Sequence, residues 1–144
     1  MVMREILFRG KRLDNGEWVE GGYKHEKVGD YLTAVFIIQA LTSGVWENHR
    51  VAPSTIGQFT GLCDKNGKKI FEGDIVNILG NQESADWKNV NYNALIAFLD
   101  GGFCAIDGTI EDHGFRRYAL ARMDFDLEVI GNVVDNPELL EGEG

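Results

Sequence analysis

Thr55-Ile56-Gly57-Gln58-Phe59-Thr60-Gly61-Leu62-Cys63-Asp64-Lys65-Asn66-Gly67-Lys68-Lys69-Ile70-Phe71-Glu72-Gly73-Asp74-Ile75-Val76 decides the fold. Short apolar segments alternate with Asn66-Gly67 and Gly73-Asp74. Asn-Gly and Gly-Asp pairs supply the left-handed backbone and local hydrogen bonds of tight turns, so the stretch predicts strand, turn, strand, turn, strand. Asn66, Gly67, Gly73 and Asp74 are the turn-forming residues. Asp74 is placed to accept turn amides while Ile75 and Val76 enter the next strand.

The same punctuation runs outward in both directions. Upstream, Glu5 to Arg9 and Glu17 to Glu20 flank Asp14-Asn15-Gly16 as a hairpin, and Gly21-Gly22 reads as its end. Tyr31 to Ile38 is β-branched and aromatic, as a buried strand is, with Val45 to Val51 a weaker strand. Downstream, Gly80 to Asn89 reads as a polar loop holding Trp87, followed by strands at Asn93 to Leu99 and Phe103 to Ile106 around Asp100-Gly101-Gly102. Phe115 to Met123 fits helical and alternating spacing alike. Phe125 to Val134 alternates as a strand, and Asp135-Asn136-Pro137 opens a short C-terminal helix. Many short strands with Gly-rich turns predict a mainly β fold: an SH3-like small β-barrel, with an additional N-terminal β-hairpin or sheet and the short C-terminal helix. With 144 residues and no linker or repeat, the chain reads as one domain, 1–144. Its N-terminal hairpin and strands occupy 1–52, and the barrel region and tail occupy 53–144.

Charge narrows the function. The formal charge is −9, from 14 Lys+Arg and 23 Asp+Glu. Residues 1–72 carry ten basic and nine acidic side chains, and residues 73–144 carry four and fourteen. Such acidity disfavours sequence-independent duplex binding, which needs Lys and Arg to displace counterions from phosphate. The N-terminal decapeptide lacks a secretory apolar run, and Ala34 to Ile38 is too short to cross a bilayer. Cys63 and Cys104 lie apart without a CxxC pairing, which favours reduced thiols and a cytoplasmic location, with no membrane partner.

Catalytic chemistry finds little support. No phosphate-cradling loop, nucleophile elbow or HExxH pattern occurs. Asp64-Lys65-Asn66-Gly67 brushes against a calcium loop, yet Gly67 is fourth rather than sixth and three lysines crowd it. His25, His49 and His113 lack a second ligand at metal-binding spacing. Glu72 and Asp74 are a carboxylate pair better explained by a turn, and Glu111-Asp112, Asp124, Asp126 and Glu128 form a solvated acidic run. Neither a catalytic or metal site nor a cofactor is therefore assigned, and the chain is read as non-enzymatic. The candidate binding surface is the basic strip Arg9, Lys11 and Arg12 with Trp18. Trp46, Trp87, Tyr23 and Tyr31 are further aromatics able to stack on single-stranded nucleic acid or to pack in the core.

Three blocks carry a family likeness: Arg9-Gly10-Lys11-Arg12 through Asn15-Gly16-Glu17-Trp18-Val19-Glu20-Gly21; the stretch Thr55 to Leu62 with Asp64 to Val76; and Glu128-Val129-Ile130-Gly131-Asn132 with Asp135-Asn136-Pro137-Glu138-Leu139-Leu140. In these the sequence resembles the YopX-like family of phage and prophage proteins. Ala52, where an acidic residue is common, and Cys63 depart from the family pattern. The resemblance implies a phage or prophage protein acting in the host cell, an SH3-like barrel and self-association into a homo-oligomer. It brings no reaction and no catalytic residues. The leading functional expectation is a non-enzymatic binding or assembly module with a host or phage protein partner. The alternative is a nucleic-acid-binding accessory protein acting through the barrel and the basic N-terminal hairpin.

Overall fold

A computed structural model describes residues 4–80, 91–107, 116–120 and 126–141. Within them the chain is mainly β, built as two antiparallel sheets. Contacts divide it into two units, Met1–Gly61 and Leu62–Gly144.

The first unit is a meander of β1 (Phe8–Lys11), β2 (Trp18–Val28), β3 (Leu32–Ala40) and β4 (Trp46–Val51), followed by β5 (Gly57–Cys63). These strands lie in the order β4-β3-β2-β1-β5 within a six-stranded sheet. The first turn closes through Arg12 N–H to Glu17 C=O (2.9 Å) and Gly16 N–H to Arg12 C=O (3.0 Å), and the Asn15 side chain accepts Glu17 N–H. Val19, Val35, Ile37 and Val51 form the buried core of this unit, with Phe8 and Ile56 packed against them.

Gly21-Gly22 does not end the hairpin. β2 runs through both glycines to Val28, pairing with β3 from Gly22↔Ile38 to Val28↔Leu32. The reason is steric: a Cβ on Gly21 would lie 2.1 Å from the Ile38 carbonyl oxygen. Gly21 is a close-approach residue inside a strand rather than a strand terminator.

In the second unit, β5 leads through a turn at Asp64–Gly67 into β6 (Lys69–Phe71) and then β7 (Asp74–Leu79). A five-stranded sheet follows, in the order β10-β9-β8-β7-β11, from β8 (Asn91–Leu99), β9 (Gly102–Asp107), β10 (Arg116–Ala119) and β11 (Asp126–Asn132). Asp100 (φ 52°) and Gly101 (φ 82°) both take left-handed backbone, as the tight β8–β9 hairpin requires. Ile70, Val76, Ile78, Ala94, Ile96, Ala105 and Leu120 form the core, flanked by Tyr92, Phe103, Leu127 and Val129.

Arg116–Ala119 settles part of the ambiguous stretch as strand, with Tyr118↔Ala105 in register on β9. Phe115 and residues 121–123 lie outside the described residues, as do Trp87, most of the loop expected around it, His113, Glu111-Asp112 and Asp124. No closed barrel is found among the described residues: β10 and β11 are the edges of an open sheet. At the C-terminus, Pro137–Leu140 forms one 3-10 turn. Asn136 turns its side-chain oxygen back to Asn132 N–H, 3.2 Å away, tying the turn to the end of β11.

Candidate functional site

Successive side chains on a strand face opposite ways, so Arg9 and Lys11 share one face of β1 while Phe8, Gly10 and Arg12 belong to the other. Register places Glu20 opposite Arg9 and Trp18 opposite Lys11. The Arg9 guanidinium lies over the Trp18 ring at 4.8 Å, and the Lys11 ammonium lies 5.9 Å from it. The structure thus brings Arg9, Lys11 and Trp18 together, all three half-buried. A cation over an indole is attracted by the ring quadrupole and held in place.

Arg12 does not join them. Its guanidinium grips Asp14 through two hydrogen bonds, at 2.9 and 2.6 Å. That bond is the main influence raising the Arg12 pKa and lowering that of Asp14. With Leu13, Glu47, Asn48, His49 and Arg50 the pair lines an open groove of about 440 Å³. In it His49 is buried, with its Nε2 3.0 Å from Gln39 Oε1 and 3.6 Å from Glu47.

The register of β3 and β4 adds residues to the Arg9 face that spacing alone could not. Lys24 pairs with Phe36 and Phe36 with Arg50, and Trp46 stands at the end of the same face. The Lys24 ammonium lies 5.3 Å over the Phe36 ring and 2.6 Å from Glu26. Arg50 and Trp46 are exposed, Trp46 by 66%.

The turn-forming residues serve the backbone. Gly67 (φ 82°) and Gly73 (φ 91°) take conformations that side chains other than glycine rarely adopt. Asp74, fully buried, accepts Phe71 N–H at 2.8 Å, and Gly73 N–H donates to Ile96 C=O at 2.8 Å. Asp64, to which the sequence reading gave no role of its own, holds the turn together. Its Oδ1 accepts Asn66 N–H and Lys68 N–H, and its Oδ2 accepts Val129 N–H of β11, each at 2.9 Å. A carboxylate engaged by three amides is turned inward to the backbone rather than outward to an ion. Among the described residues, no group of three or more His, Cys, Asp or Glu side chains is arranged to hold a metal ion. Nor is any helix among them long and apolar enough to cross a membrane.

Two antiparallel sheets with turn-rich connections, and a cation–aromatic face on the first, define an all-β chain without a built catalytic constellation among the described residues. The chain belongs to the YopX protein family, whose model matches residues 7–141. It is similar in structure to protein EF1440 from Enterococcus faecalis, at 27% identity and a TM-score of 0.51, over 96% of this chain and 99% of that one. It is also similar to protein YopX from Bacillus subtilis, at 20% identity and a TM-score of 0.56, over the same shares of the two chains. No curated protein matches it.

Proposed function

We propose that this chain is a non-enzymatic binding and assembly module, encoded by a phage or prophage, that self-associates in the host cell. The observation that carries the reading is the β2–β3 hairpin. Beyond Gly21, β2 has no strand partner but β3 among the described residues, and before Val35 β3 has none but β2. The outer ribbon, Lys27-Val28 against Leu32-Thr33, is therefore two-stranded and exposed on both faces. At its tip stand Tyr31, 99% exposed, Leu32, 62%, and Val28, 47%. A lone two-stranded ribbon is marginal in water, and clustered apolar tips mark protein contacts. A second copy covering the tip supplies what the ribbon lacks.

Family membership supports the intracellular, phage-linked setting through the resemblance already drawn. The SH3-like closure belongs to this same reading, supported by five short antiparallel strands in near-sequential order. So does the treatment of residues 1–144 as one functional domain.

Sedimentation velocity over micromolar concentrations tests the proposal. Wild-type protein is expected to sediment as an oligomer, and Tyr31→Ser with Leu32→Ser to shift it towards monomer while keeping the native far-ultraviolet spectrum. A wild-type chain that stays monomeric throughout removes the self-association claim.

A further inference from the structure

We propose that two copies of this chain join edge to edge through Gly22–Val28 of β2, the two strands pairing antiparallel about a two-fold axis at His25. The proposal rests on the self-association reading above and names its contact. Past Gly21 the ladder with β1 ends, so the outer side of β2 is an open edge among the described residues. Strand alternation decides which backbone groups that edge presents. Arg12 N–H bonds Glu17 C=O on the β1 side of the strand, whereas Glu20 C=O accepts the Gln39 side chain on the β3 side. Odd-numbered residues of β2 therefore turn their N–H and C=O away from β3, and those of Tyr23, His25 and Lys27 face outward. Among the described residues, no main-chain hydrogen bond reaches these three from that side.

Charge selects the register. Centred on His25, antiparallel pairing sets Lys24 of each copy opposite Glu26 of the other, and Tyr23 opposite Lys27. Each contact occurs twice by symmetry. Sliding the centre to Lys24 sets lysine against lysine, and sliding it to Glu26 sets glutamate against glutamate. Like charges directly opposite each other destabilise a sheet, while opposite charges and cation–aromatic pairs support it. Lys24 and Glu26 are already 2.6 Å apart within one copy, so two copies make a continuous row of alternating charge. Parity agrees with charge. The outward groups of Tyr23, His25 and Lys27 meet their own counterparts, exchanging about six main-chain hydrogen bonds. The edge is also used completely, because His25 is the midpoint of Gly22–Val28 and Gly29 (φ 72°) then turns the chain towards β3.

The same arrangement gives the apolar tip a place to go. Antiparallel pairing lays the tip of one arm, with Tyr31 and Leu32, beside the root of the other, where the Phe8 and Tyr23 rings stand 5.4 Å apart. Two β2 edges consumed by each other leave no room for a third copy there. The contact therefore closes as a dimer rather than growing into a fibre.

Sedimentation velocity of charge-reversed chains, alone and mixed, tests the pairing. Lys24→Glu alone and Glu26→Lys alone each oppose like charges twice across the axis, and each should weaken association about tenfold. An equimolar mixture of the two variants restores both opposite-charge pairs and should regain wild-type affinity, which a salt link confined to one copy cannot achieve. His25→Pro removes an outward N–H without touching the β3 ladder and should also abolish the contact. Glu26 is exposed, so Glu26→Lys and His25→Pro keep the test decisive should Lys24→Glu loosen the ribbon over Phe36. Association that matches wild type in all three variants overturns the edge pairing while leaving self-association standing. A mixture that associates no better than its components overturns it too. A wild-type chain that is monomeric throughout removes the reading beneath and this contact with it.

Discussion

The Asp64 carboxylate is under two opposed influences. Burial pushes its pKa up, and the amides of Val129, Lys68 and Asn66 together outweigh that and hold it below the ordinary carboxylate value. A lowered folded-state pKa means stabilisation that is complete above the ordinary value and is lost as pH falls through the folded one. Asp64→Ala strands those amides and should destabilise the protein by about 2–4 kcal/mol in urea unfolding at neutral pH. The difference from wild type should shrink on acidification below the usual carboxylate range. A difference independent of pH contradicts the charge-based account. The two cysteines diverge in the same physical way. Cys63 is exposed, while Cys104 is buried, with its thiol 3.5 Å from Ala97 C=O and its pKa raised chiefly by desolvation. A thiol-reactive chromophore should therefore label one site quickly in the native protein and both only in denaturant. Rapid labelling of both would mean that Cys104 is not shielded. Gly21→Ala, forced against the Ile38 carbonyl, should lower the melting temperature markedly, since backbone cannot yield as a side chain can.

At the scale of elements, turn chemistry was the most legible signal. Asn15-Gly16, Asn66-Gly67, Gly73-Asp74 and Asp100-Gly101 all lie where the chain reverses, because each needs a backbone that few residue pairs accept. Gly21-Gly22 misled for an instructive reason: a glycine demanded by a neighbouring strand looks, in sequence, like one demanded by a turn. Phe115 to Met123 was undecidable by periodicity, and pairing with β9 selects strand for Arg116–Ala119. The Asp64 clamp was hidden because Val129, its most distant donor, is 65 positions away. Likewise Arg9, Lys11 and Trp18 were legible together as a short hairpin, whereas Phe36 and Arg50 are placed by long-range pairing, Phe36 opposite Lys24 and Arg50 beside Leu13 through its carbonyl, which local sequence does not show. Arg12 looked equivalent to Arg9 in sequence, but strand alternation and Asp14 take it out of the cluster. The outer β2–β3 ribbon yields this scale's prediction. Tyr31→Ser with Leu32→Ser lies outside both cores and should leave the melting temperature of dilute protein within about 2 °C of wild type. A large fall would show that the tip supports the fold itself rather than a contact.

At the scale of the whole molecule, the family and the mainly β class agree with the sequence reading, two antiparallel sheets stand where a small barrel with an added N-terminal hairpin or sheet was expected, and barrel closure rests on the proposal above. The uneven charge is a property of the two units taken separately, with the acidic excess belonging to residues 62–144. An assembly that sets acidic surfaces of several copies near one another should tighten as salt rises, through screening, with the apolar tip contact itself unaffected. Hydrogen–deuterium exchange of the β2–β3 ribbon, followed from dilute to concentrated protein, tests self-association through the arm most directly. The account predicts that amides from Glu26 to Thr33 exchange freely when dilute and become protected as concentration rises, while the β7–β8 core is protected throughout. Ribbon exchange that is fast and indifferent to concentration would contradict it.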